Sequence, residues 1–150
     1  MQRAFAFILF LSFSISLHAS HVMGGEITWS CSGPNTYEFQ LVFYRDCNGA
    51  EVNIISEDLR VWNHPTLNSI VLNFISREDI SPSCTVVEGS PSMLECGTGS
   101  AAGNGVGAIE RITYRSNPIS ISGIPPSEGW IFTYENFSRS NAISNLSNPS

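Results

Sequence analysis

Three features of this sequence predict an all-β fold. Apolar and polar residues alternate with period two in one segment after another, and Gly, Pro, Asn and Ser clusters separate those segments. No stretch repeats its apolar residues at helical spacing. The architecture expected is an antiparallel β-sandwich, immunoglobulin-like or related, stapled by disulfides.

The elements follow in order. Ile27, Trp29 and Cys31 alternate with Glu26, Thr28 and Ser30. Tyr37, Phe39, Leu41 and Phe43 alternate with Glu38, Gln40, Val42 and Tyr44. Segments 25–31 and 36–45 flank Ser32-Gly33-Pro34-Asn35 and read as a hairpin, with Trp29 facing Phe39 and Ile27 facing Leu41. Leu59 with Val61, the run 69–75, the short run 84–87, and Ile112 with Tyr114 read as further strands. So do Ile119 with Ile121, and Trp130, Phe132 and Tyr134. Turn chemistry lies between them at Asn48-Gly49, Asn63-His64-Pro65, Ser81-Pro82-Ser83 and Gly123-Ile124-Pro125-Pro126. The Gly-rich stretch 97–107 reads as a flexible loop. A strand follows it, not a helix that could aim its amino terminus at phosphate, so a phosphate cradle is disfavoured.

The first residues have a different character. Arg3 precedes the apolar run Ala4 to Phe13, and Leu17-His18-Ala19 closes it. This is the layout of a secretory signal peptide, residues 1–19, cut after Ala19; its apolar run is too short to stay in a bilayer. The expected location is secreted or at the outer cell surface. The first cysteine, Cys31, lies well past the run, which argues against a lipid-anchored start. Residues 20–150 are of a length for one domain with a real core.

The chain has no lysine, and its seven arginines face thirteen acids, for a net charge of −6. A binder of nucleic acid or of an anionic membrane needs the opposite balance. No cofactor is expected; the metal left open by the acids is extracellular calcium.

The four cysteines, Cys31, Cys47, Cys84 and Cys96, include no C-x-x-C pair of a zinc site and read as two structural disulfides. In the hairpin Cys31 sits near the turn and Cys47 beyond the far end. At roughly 3.4 Å per residue they are tens of ångströms apart, whereas a disulfide holds its Cα atoms within about 7 Å. Each of the first two cysteines is therefore expected to pair with one of the last two.

Catalytic constellations are missing from the pattern. His18 is in the leader, and His21 and His64 stand in no His-x-x-His or Glu-x-x-His spacing; they read as solvent-facing. Asp46-Cys47-Asn48-Gly49 has the opening of a calcium loop without its later ligands, and a tight turn explains it more simply. Glu57-Asp58 and Glu78-Asp79 are adjacent acids that a strand would point to opposite faces. There is no Gly-x-Ser-x-Gly elbow. Trp29 and Trp130 are expected in the core, and Trp62 is the aromatic most suited to face a ligand. Asn136-Phe137-Ser138 and Asn145-Leu146-Ser147 fit the glycosylation triplet, which matters only in a eukaryotic secretory path.

Four motifs carry a resemblance: Ser20-His21-Val22-Met23-Gly24-Gly25-Glu26-Ile27-Thr28-Trp29, Tyr44-Arg45-Asp46-Cys47-Asn48-Gly49, Ile80-Ser81-Pro82-Ser83-Cys84 and Gly129-Trp130-Ile131-Phe132. In this order they resemble the amino-terminal domain of large secreted proteins of gliding-type Gram-negative bacteria. Such proteins often end in a gliding-motility-associated sorting domain read by the type IX secretion system. Relatives often show Cys-Cys-Arg-Asn before Ala-Ile-Thr-Asn, where this chain has Phe137-Ser138-Arg139-Ser140-Asn141-Ala142-Ile143-Ser144-Asn145, so a family disulfide pairing does not transfer. The resemblance implies the amino-terminal part of a longer exported protein, with the secretion machinery as partner through a carboxy-terminal domain. The expected function is a non-enzymatic surface module for adhesion or display, with an extracellular protein or glycan as ligand. The alternative is a carbohydrate-binding module of a secreted enzyme, with Trp62 at the sugar.

Overall fold

Pro34-Asn35 closes the first hairpin. Proline presets the first central residue of the turn, and Asn35 takes the left-handed conformation (φ 52°) that the second one requires. The computed structural model describes residues 21–47, 49, 51–81, 96 and 107–135. The hairpin joins β1 (His21–Gly33) to β2 (Thr36–Asp46), with Trp29 opposite Phe39 and Ile27 opposite Leu41, the register read from the alternation. Gly25 has a steric reason: a Cβ there would lie 2.6 Å from the Val42 carbonyl oxygen.

The other strands are β3 (Ser56–Val61), β4 (Ser69–Asp79), β5 (Ile109–Ser116), β6 (Ile119–Ser120) and β7 (Phe132–Thr133). All pairings are antiparallel, in the order β1-β2-β5-β4-β3-β7, with β6 on β2 beyond the end of β5. The all-β antiparallel class holds. Hydrogen bonding links the seven strands into one sheet curled nearly closed, and a division into two stacked sheets is not seen among the described residues. The expected strand at 84–87, most of the 97–107 loop, the leader and both glycosylation triplets lie outside the described residues.

Curling buries one face. Phe39, Leu41 and Phe43 of β2 meet Leu59 and Val61 of β3, Ile70 and Leu72 of β4, and Ile112 and Tyr114 of β5. The last described segment crosses this face: Phe132 packs on Phe39 (ring centroids 4.7 Å) and Tyr134 stacks on Phe43 (6.0 Å). Each such pair contributes about 0.5–1.5 kcal/mol beyond the area it buries.

The inward period of β2 continues past Phe43 to Arg45, which is 3 % exposed. Its cross-strand partner is Glu110, and Nε lies 2.9 Å from Oε2. A bulge in β4 between Phe74 and Ser76 shifts the inward parity from even to odd residues. Arg77 thereby reaches Glu110 at 3.2 Å, within ion-pair distance though off the hydrogen-bond line, and Glu51 at 2.7 Å. One buried carboxylate thus joins β2, β5 and β4.

The disulfide Cys47–Cys96 lies at this end, with Cα atoms 5.3 Å apart. Asp79 holds the same corner. Burial pushes its pKa up, but hydrogen bonds from the Ser81 hydroxyl and the Cys96 and Ser81 amides outweigh that and hold it below the usual value. The pairing of Cys47 with one of the last two cysteines holds. Two disulfides do not form among the described residues: Cys31 is free and exposed, and Cys84 lies outside them. The hairpin explains the separation, since Cys31 faces Tyr37 beside the turn while Cys47 follows the far end of β2.

Two outcomes are expected. Glu110→Ala removes the buried carboxylate that Arg45 and Arg77 share and should cost about 3–5 kcal/mol in urea unfolding; a loss below about 1 kcal/mol would mean the pair is solvated. Glu57 points inward on β3, and burial, offset in part by a Tyr134 hydrogen bond, raises its pKa, with the Asp58 charge adding to the rise. A raised carboxylate is stabilising in its protonated form, present below the unfolded value and lost as pH rises through the folded one. Glu57→Gln should therefore be more stable than the parent at neutral pH, the gain vanishing below the unfolded value of about 4.3. Denaturation at the two pH values checks this.

Candidate functional site

The curl stops short of closure at β1. Trp29 lies on the inner face opposite Phe39, yet it is 66 % exposed. It was expected in the core. Its alternation puts it on the right face, but nothing among the described residues packs across the outer part of that face. Trp130 does pack against the core, half-buried.

The segment opposite Trp29 is held by polar contacts. The Ile121 amide donates to the Asn35 carbonyl (2.9 Å). Asn63 grips residues 129–131 at two points: Nδ2 donates to the Gly129 carbonyl and Oδ1 accepts from the Ile131 amide, each at 2.8 Å. Gly129 supplies the positive φ (81°) that turns the chain there.

His64, expected from its turn sequence to face solvent, is instead buried, with 9 % exposure. Its Nδ1 accepts from the Thr66 and Leu67 amides (3.2 and 2.9 Å), so Nε2 carries the proton and donates to the Ser122 carbonyl (2.9 Å). The ring also packs on Trp130 at 4.7 Å. This turn histidine therefore clamps the crossover after β6 to the β3–β4 connection.

Between Trp29 and this segment lies an apolar cleft of about 230 Å³, lined by Trp29, Tyr37, Phe39, Ile121, Trp130 and Phe132. Tyr37 is the one ionisable residue in that lining. On the outer face Trp29 borders a second, polar depression of about 360 Å³ with Thr28, Ser30, Glu38, Gln40 and Arg115. Arg115 donates to Gln40 Oε1 (3.0 Å) and lies 3.5 Å from Glu38.

Trp62 stands elsewhere. It is 51 % exposed, but the Arg60 guanidinium lies 3.7 Å from its ring centroid and its Nε1 donates to Thr133 Oγ1 (2.8 Å). One stacking face is thus occupied and the ring is tied to β7. At the calcium-like opening the Gly49 amide donates to the Asp46 carbonyl (3.0 Å), the backbone bond of a turn. Among the described residues no group of three or more His, Cys, Asp or Glu is placed to hold a metal ion. The adjacent acids separate as a strand requires: Glu57 is half-buried and Asp58 exposed, while Glu78 pairs with Arg111 (2.6 Å).

Sequence reasoning missed Trp29 as the lip of a cleft and His64 as its clamp. The continuation of the β2 alternation onto Arg45 was the available sign of a buried charge. Comparison of the chain with protein-family models, curated proteins and solved structures finds no match.

Proposed function

We propose that this chain is an exported, extracellular β domain that binds rather than transforms its ligand, an adhesion or surface-display module of a large exported bacterial protein. The observation that carries the reading is the exposed Trp29 beside an apolar cleft whose lining offers surface for contact and a single ionisable group. The Cys47–Cys96 disulfide fits an oxidising compartment, and the signal-peptide pattern of residues 1–19 fits export. The resemblance of four sequence motifs to those of gliding-type surface proteins suggests the proposed context. The carbohydrate-module alternative draws on Trp62, whose half-exposed ring is already covered on one face by Arg60.

The test is an array of matrix proteins and glycans probed with the purified, disulfide-intact chain. Binding to at least one class is expected, weakened about tenfold or more by Trp29→Ala and unchanged by Trp62→Ala. No binding to any class overturns the reading. A loss confined to Trp62→Ala on glycans moves the assignment to the carbohydrate module.

A further inference from the structure

We propose that β1 is a docking edge for an extended, uncharged partner peptide whose side chains alternate apolar and polar, added as one more strand. This names the ligand class and rests on the binding-module reading above.

The edge itself is the first observation. β1 ends the strand order, and among the described residues it pairs with β2 alone. It is 13 residues long and carries one carboxylate, Glu26, with no Lys, Arg or Pro. Its irregularities fall at Val22/Gly24 and Cys31/Gly33, leaving Gly24 to Cys31 in unbroken register. Soluble proteins shield such edges with charge, proline, bulges or brevity. This stretch has almost none of these, which suits an edge that is used.

The two depressions that meet at Trp29 are the second observation. A strand laid along β1 sends successive side chains to opposite faces. On the inner side they meet the apolar cleft of about 230 Å³, larger than the roughly 150 Å³ that suffices to hold a benzene molecule. On the outer side they meet Thr28, Ser30 and Gln40. The charges there, Arg115 and Glu38, already face each other, so the outward residues that fit are polar and uncharged. Strand addition joins backbone bonds for affinity to alternate pockets for specificity. A saccharide would use the polar depression and the Trp29 ring but leave the apolar cleft and the edge amides unused. A second copy would bring another chain of net charge −6 and a second Glu26 to the same face.

The experiment uses the full chain with its disulfide intact and two short synthetic peptides alternating threonine and leucine. One is unmodified; the other is N-methylated at alternate amides, which keeps the side chains and removes the backbone donors. Tryptophan emission, amide exchange over Gly24 to Cys31 and sedimentation are read together. The unmodified peptide should shift the emission and slow exchange in that stretch, with the N-methylated peptide at least about tenfold weaker. Trp29→Ala should weaken binding about tenfold and Trp62→Ala should leave it unchanged. Equal binding of both peptides, or none up to about 1 mM, overturns the proposal. So does a chito- or cello-oligosaccharide shifting the emission in place of the peptide, self-association protecting the same amides, or their protection in the free monomer. If array binding still depends on Trp29 while the peptide fails, the module reading stands and strand addition falls.

Discussion

Among the described residues no helix lies against the sheet, so the sheet must cover its own apolar face, and here a few aromatic rings do so. Phe132 on Phe39 and Tyr134 on Phe43 bring the end of the described chain back across β2. The curl turns Leu59, Leu72, Ile112 and Tyr114 into a core with essentially no exposure. Burial of each large side chain is worth about 1.5–3 kcal/mol, so the closing contacts govern far more stability than their own. The same constraint creates the site. The closing segment covers the inner face as far as Phe39 and leaves Trp29 beyond it uncovered.

The two ends of the core are finished by different chemistry. At one end, Glu110 sits between Arg45 and Arg77, beside the Cys47–Cys96 disulfide and the Asp79 carboxylate that holds the Cys96 amide. Such a cluster adds less to net stability than an apolar core of equal volume would, but it punishes any misplaced strand, because each charge needs the others. At the other end, His64 and Asn63 satisfy backbone groups of the turns that frame the cleft. That frame fixes Trp130 and gives the cleft a rigid wall without a charged group in it.

The hairpin was legible residue by residue, because period two together with Pro34-Asn35 leaves one register. The strands at 69–79 and 109–116 were legible in kind but not in length, since the β4 bulge hides the inward position of Arg77 from an alternation count. Trp29 shows the limit most directly. Alternation says which face a side chain takes, and only tertiary structure says whether that face is covered. His64 failed for a related reason: Asn63-His64-Pro65 carries the signature of a surface turn, while its burial comes from Ser122 and Trp130, dozens of residues away. Hairpin geometry separates Cys47 from Cys31 and so directs Cys47 to one of the last two cysteines, but only the tertiary structure selects Cys96 and leaves Cys31 free.

The claim that aromatic contacts close the sheet is tested most directly by a double-mutant cycle at Phe39 and Phe132. Single and double leucine variants would be compared by equilibrium unfolding. Closure through this contact predicts a coupling of about 0.5–1.5 kcal/mol between the two sites. Strict additivity, with each variant losing only its own burial, would place Phe132 away from β2 and contradict the account of both the core and the cleft.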